Sequence, residues 1–151
     1  MMRAIRRSLE IKKRVIEEDE FDLGPRNVMN YGHSFGHAIE AATNFAVPHG
    51  IAVTLGMDMA NHVAWRLGAA DERSFQRMHG VLAANFCGYE RAPVPLDPLM
   101  GALAKDKKNL GAGTVTLILP DANGRIGKGA YPADELLRTA CGEYLETVRL
   151  S

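Results

Sequence analysis

Between Met2 and about Glu18 the apolar residues Ile5, Leu9 and Ile16 recur at helical spacing with no glycine or proline between them, which predicts a helix. Lys12 falls on the same stripe. A lysine there either snorkels from the edge of a core or aims its ammonium into a site shared with the next helix. Asp19 to Pro25 is an acidic run ending in a Gly-Pro break, the composition of a short interhelical loop. The pattern then predicts a second helix over about Asn27–Asn44, a third over Ile51–Leu67 capped by Gly68, and a fourth from Asp71-Glu72 to about Asn85. Prolines 93, 95 and 98 make Cys87–Pro98 a surface connection, followed by a short helix over Leu99–Lys105. Thr114–Leu119 is β-branched and apolar, and the turn residues Pro120–Gly124 lead to Arg125–Ala130, together a small hairpin. Asp134 to about Arg149 closes the chain as a helix with Leu136, Leu137, Ala140, Tyr144, Leu145 and Val148 on its apolar side. The expected fold is mainly α, one domain with a small β-hairpin near its C-terminus.

Composition narrows the class. Of 151 residues 46% are hydrophobic and 24% charged, enough apolar surface to bury a core and too much for a disordered chain. Eighteen Lys and Arg balance eighteen Asp and Glu, so there is no electrostatic case for nucleic acid or an anionic membrane as partner. Cys87 and Cys141 lack the spacing of a zinc knuckle and are too few for a disulfide scaffold, which suits free thiols in the cytoplasm. The basic start, Met1–Lys13, has no signal-peptide apolar run. Ile51–Leu67, the most apolar stretch, is broken by Asp58, Asn61, His62 and Arg66 and falls short of the ~20 residues of a membrane span.

The chemistry concentrates between Arg26 and Gly50. On one continuous helix Asn30, His33, His37 and Glu40 would share a broad polar face. Gly32 and Gly36 would cost such a helix about 1 kcal/mol each relative to alanine, a cost usually offset by a neighbouring backbone or a ligand that must come close. Histidines four residues apart can both reach one metal ion, as in the zincin His-Glu-x-x-His pattern. Here Ser34 follows the first histidine, so the carboxylate a zincin protease needs is missing. His49, sixteen residues after His33 and next to Gly50, stands before the positive end of the third helix, which favours a neutral, metal-binding imidazole. Glu40 is placed to orient a histidine. His62 and His79 are expected to be structural or solvent-facing, and Trp65, Met57 and Met59 to lie in the core or an interface.

At these residues the chain resembles the C-terminal domain of the sugar phosphate cyclases, most closely the 3-dehydroquinate synthase family. The shared pattern is Asp19-Glu20, Arg26, then Met29-Asn30-Tyr31-Gly32-His33-Ser34-Phe35-Gly36-His37-Ala38-Ile39-Glu40, then His49-Gly50-Ile51-Ala52-Val53-Thr54-Leu55-Gly56-Met57. It extends back to Lys12 and forward to Asp106-Lys107-Lys108. The resemblance implies a lyase of the shikimate pathway, in aromatic amino acid biosynthesis, that converts 3-deoxy-D-arabino-heptulosonate 7-phosphate to 3-dehydroquinate and phosphate. It implies His33 and His49 as two ligands of a divalent metal (Zn2+ or Co2+), with a third from an N-terminal domain outside this sequence. Lys12, Arg26, Asn30, His37 and Lys107 match substrate-binding positions, and Lys12, Arg26 and His37 match catalytic ones. NAD would be bound by the absent N-terminal half, since this chain has no Gly-x-Gly-x-x-Gly. The complete enzyme is expected to be a cytoplasmic homodimer, and the chain alone inactive.

Three positions depart from the family's pattern. Asp22 stands where Glu is common, Pro25 where Leu or Ile is usual, and Ile51 where Glu is frequent. These leave open a related cyclase acting on another sugar phosphate. An iron-dependent alcohol or glycerol dehydrogenase-like protein ranks behind it, since that pattern lacks the Asn-Tyr-Gly-His-Ser-x-Gly-His-Ala-Ile-Glu string, and the other reading is a non-catalytic remnant domain.

Overall fold

The computed structural model describes residues 2–19, 25–105 and 113–151. Helix α1 spans Met2–Glu18, a 3-10 helix Pro25–Asn30, α2 His33–Ala42, α3 His49–Arg66, α4 Glu72–Ala83 and α5 Leu96–Ala104. Strands β1 (Thr114–Pro120) and β2 (Ile126–Pro132) pair antiparallel, and α6 (Glu135–Glu146) leads to a final 3-10 turn, Val148–Leu150. The architecture is the mainly helical one that the apolar pattern predicts, with the hairpin in its expected place.

Helix α3 is the central post. Ala52, Leu55, Met59, Ala60, Val63 and Ala64 are sealed from solvent because α2, α4, α6 and β1 pack around it. On β1, Val115, Leu117 and Leu119 alternate into the same core. Each boundary has a local cause. Gly68 at φ +74° ends α3, its N–H bonded to the Trp65 carbonyl and that of Ala69 to the Ala64 carbonyl, a Schellman closure. The Asp71 and Asp134 side chains cap α4 and α6 by accepting from the N–H groups of Ser74 (2.6 Å) and Leu137 (3.1 Å).

The structure corrects several expectations. The helix expected over Asn27–Asn44 is broken: Gly32 adopts φ +79° and caps α2, so Asn30 sits on the 3-10 segment and only His33, His37 and Glu40 share a helix. α5 begins at Leu96 because Pro98 is tolerated in a first turn, where no N–H is needed. α4 stops two residues early at Ala83, and α6 ends at Glu146 with Leu136 on its solvent side. α1 forms as expected, but its stripe does not face this chain's core. Ile5, Leu9 and Ile16 are 47%, 62% and 44% exposed, since α1 rests mainly against the 3-10 helix.

Helices α2 and α3 approach each other closely. A Cβ on Gly56 would lie 2.1 Å from the Gly32 carbonyl oxygen, and one on Gly36 would lie 3.0 Å from the Val53 Cα. Contacts run from Gly32 to Met57, Gly36 to Val53 and Glu40 to His49, so the two helices are antiparallel and touch backbone to backbone. The glycine cost is therefore offset by helix packing.

Polar groups pin the helices from inside. His79 Nδ1 donates to the fully buried Asp58 at 2.8 Å and the Tyr144 hydroxyl donates to the same oxygen at 2.9 Å, joining α4 and α6 to α3. Burial pushes the Asp58 carboxyl above its usual range, against the opposing pull of His79 and Tyr144. His62, 1% exposed, is boxed by Trp65, Phe75 and Tyr144. Burial lowers it to about 4, outweighing the Glu143 carboxylate 3.6 Å from Nε2. Both histidines are structural, as expected.

Two predictions follow from this packing. Gly56→Ala is expected to destabilise the chain by about 3 kcal/mol or more, because backbone must move, whereas Gly50→Ala, which meets nothing within 4 Å, shifts the urea midpoint little. Equal midpoints would show that the helices do not meet at Gly56. For His62 the unfolded chain takes up a proton near 6.5 and the folded chain resists until about 4. Its contribution is complete above pH 6.5 and is lost as pH falls from there to about 4, roughly 3 kcal/mol in all. His62→Leu should lack that part of the acid destabilisation in urea titrations at pH 7.5 and 4, and an unchanged pH dependence would refute the assignment.

Candidate metal and substrate site

The antiparallel contact of α2 and α3 brings Glu40, in the last turn of α2, beside His49, the first residue of α3, and the rings of His33 and His37 stand close to that of His49. Ring centroids of His33, His37 and His49 lie 5.5, 5.8 and 5.9 Å apart pairwise, a near-equilateral triangle of imidazoles. His37 and His49 are exposed and His33 half-buried, so the triangle opens to solvent on one side. Glu40 closes the other side. It is buried, and its Oε1 accepts from His49 Nδ1 at 3.1 Å, which fixes the tautomer and leaves the lone pair of His49 Nε2 available to a ligand. His33 Nδ1 is likewise turned to the Tyr31 carbonyl at 3.3 Å, leaving Nε2 unprotonated. Burial, then the neighbouring His37 and His49, lower the pKa of His33 against the pull of that carbonyl, so the ring is neutral at pH 7.

This donor set fits a divalent transition metal: imidazoles with one buried carboxylate behind them, open to solvent on one face. Donor atoms of His37, Glu40 and His49 already lie within 4.8 Å of one another. The pair expected from sequence was His33 and His49. The structure gathers all three histidines, and it is His37 and Glu40 that stand nearest to His49 as a set.

The expected substrate residues lie next to this triangle on separate elements. Lys12 and Ile16 of α1, Arg26, Met29 and Asn30 of the 3-10 helix, and His33 line a cleft of about 400 Å³. The Arg26 N–H donates to Asp19 Oδ2 at 3.1 Å, tying the 3-10 helix to the end of α1. A second, smaller cleft of about 50 Å³ lies between α2 and the hairpin. It contains Thr116 and Lys128, neither of which the sequence pattern singled out, since period-two alternation says which residues share a strand face but not what that face covers. Lys107 lies outside the described residues.

A family model described as 3-dehydroquinate synthase C-terminal matches residues 1–109. The chain belongs to the 3-dehydroquinate synthase family. Among curated relatives, the 3-dehydroquinate synthase of Alkaliphilus metalliredigens is 35% identical over 133 residues, covering 87% of this chain and 37% of the relative. That of Synechocystis sp. is 34% identical over 144 residues, covering 94% and 40%. The chain thus spans about two fifths of the length of these relatives. Among solved structures, a 2-deoxy-scyllo-inosose synthase complexed with carbaglucose-6-phosphate, NAD+ and Co2+ matches with TM-score 0.68 at 22% identity, covering 82% of this chain and 36% of that one. The fold is therefore shared with the matching part of that synthase, and homologues in the 3-dehydroquinate synthase family are lyases.

The Glu40–His49 bond makes a measurable prediction. Cobalt(II) titrated into the protein should give the visible absorption of a nitrogen-ligated ion, and Glu40→Gln should weaken cobalt binding about 10- to 100-fold. Equal affinity in the variant would mean that Glu40 neither orients His49 nor contacts the ion.

Proposed function

We propose that this chain is the metal- and substrate-binding part of a 3-dehydroquinate synthase-like lyase, releasing phosphate from 3-deoxy-D-arabino-heptulosonate 7-phosphate to give 3-dehydroquinate together with an NAD-binding half. The observation that carries this reading is the imidazole triangle backed by Glu40 at the edge of a cleft holding Lys12 and Arg26. When bound, a divalent ion at His33 and His49 supplies Lewis acidity toward a substrate oxygen, and NAD on the other half supplies the transient oxidation. Lys12 and Arg26 bind and orient the substrate's carboxylate and hydroxyls. Asn30 fixes the sugar at the junction of the two clefts. His37 stands beside the departing phosphate and can hold a proton there. Lys107 adds a further cation at the phosphate.

The apolar stripe of α1 supports a second half. Leu9 is 62% exposed and Met2 79%, surface that a nucleotide-binding domain seated over the open side of the cleft would cover. A homodimer of the complete, cytoplasmic enzyme completes the proposal. The cyclase neighbour supports a second reading, in which the sugar phosphate is a hexose phosphate.

The test is reconstitution with the N-terminal portion of the Synechocystis relative, followed by phosphate release from each candidate substrate with NAD. The mixture should turn over the heptulosonate phosphate while the chain alone does not, and His33→Ala should cut the rate at least 100-fold. Release from glucose 6-phosphate alone would select the second reading. Undiminished release in His33→Ala would remove His33 from the metal site.

A further inference from the structure

The smaller cleft points to a residue that neither the motif nor its spacing indicates. One wall is the chain around the start of α2, with Asn30, His33, Ser34 and His37. The other is the hairpin, with Thr116, Ile118 and Lys128. Ile118 and Lys128 are directly opposed in the strand register, so their side chains stand on the same face of the ribbon, and Thr116 lies two residues along on that face.

Charge and size define what fits. Among the described residues no carboxylate lines the cleft. Lys128 makes no ion pair with any described residue, whereas Arg66 and Arg138 each have a carboxylate partner. Lys128 thus shares the lining of this cleft with imidazoles, an amide and hydroxyls, all able to donate to an anion. The first turn of α2 forms part of that wall, and its positive end adds to the same field. At about 50 Å³ the cleft is much smaller than the neighbouring one of about 400 Å³, so a compact group suits the first and a sugar ring the second. The two clefts share Asn30 and His33, so one ligand can lie across both.

We propose that Lys128 forms, with His37, Asn30 and Ser34, an anion subsite that takes the phosphoryl group of the substrate, the carboxylate end lying toward Lys12 and Arg26. The assignment rests on the lyase reading for the identity of the substrate, but the subsite itself is a property of this chain. Lys128 extends from a strand with no backbone role in the site, so its ammonium approaches the phosphoryl group from the side opposite α2. Two walls of donors then hold the group in one orientation, which selects a phosphorylated terminus over a neutral one.

Binding of inorganic phosphate to the metal-free chain tests this without turnover. Histidine side-chain 1H–15N signals should shift saturably with phosphate, most at His37, and far less with acetate at equal concentration. Lys128→Gln should weaken phosphate about tenfold and Lys128→Arg should restore most of it. Arg73→Gln makes the same charge change on the exposed surface of α4 and should leave binding within twofold. In the reconstituted enzyme Lys128→Gln should raise KM about tenfold with cobalt affinity unchanged. Equal weakening by Arg73→Gln, phosphate affinity unchanged in Lys128→Gln, or no saturable shift in the parent chain would each overturn the subsite. Phosphate binding that depends on Lys128, in a reconstituted protein that turns over neither substrate, would support the subsite and overturn the lyase reading instead.

Discussion

The Gly32 carbonyl oxygen sits where a side chain on Gly56 would have to be, and the geometry of the site follows from that contact. With no Cβ at Gly32, Gly36 or Gly56, α2 and α3 meet at backbone distance, far closer than helices separated by ordinary side chains. His49, at the start of α3, lies beside Glu40 in the last turn of α2, and at this close helix spacing its ring comes within 6 Å of those of His33 and His37. A methyl group at the contact would separate the helices, and the histidines would part by a comparable distance. Metal ligation tolerates only a few tenths of an ångström. The glycines are thus the structural condition for the chemistry two turns away.

Rigid support for that contact comes from behind. Asp58, buried on α3, is held by His79 from α4 and Tyr144 from α6, so the helix bearing His49 is fixed against two others by directional bonds as well as by apolar packing. A buried carboxyl is costly in isolation, and the two donors offset much of that cost while fixing the rotation of α3. On the opposite side the site is open, and the cations that face it come from three different elements: Lys12 on α1, Arg26 on the 3-10 helix and Lys128 on β2. A protein of zero net charge can thereby bring three cations to one side of the site.

Much of the fold was legible in the sequence because periodicity records burial. The six helices and the hairpin follow from it, and Gly68, Asp71 and Asp134 act at the ends where their local chemistry places them. The failures are equally physical. Helical spacing at Ile5, Leu9 and Ile16 shows an apolar face and not what it packs against, and in this chain it packs against little. The break at Gly32 was invisible to the pattern because glycine is compatible with a helix interior at modest cost, and only the approach of Met57 and Val53 requires its left-handed turn.

For the site, the sequence by itself determined the chemistry available. The motif from Asn30 to Glu40 and the His49-Gly50 pair named the groups able to ligate a metal or to hydrogen-bond, since donor type is a property of the side chain. Which of them meet was decided by the tertiary structure. It set Glu40 against His49, nine residues apart, turned His33 toward the Tyr31 carbonyl, and laid the Lys128 face of the hairpin over the start of α2. Distances between elements depend on how their surfaces pack, and that is fixed by the whole core at once.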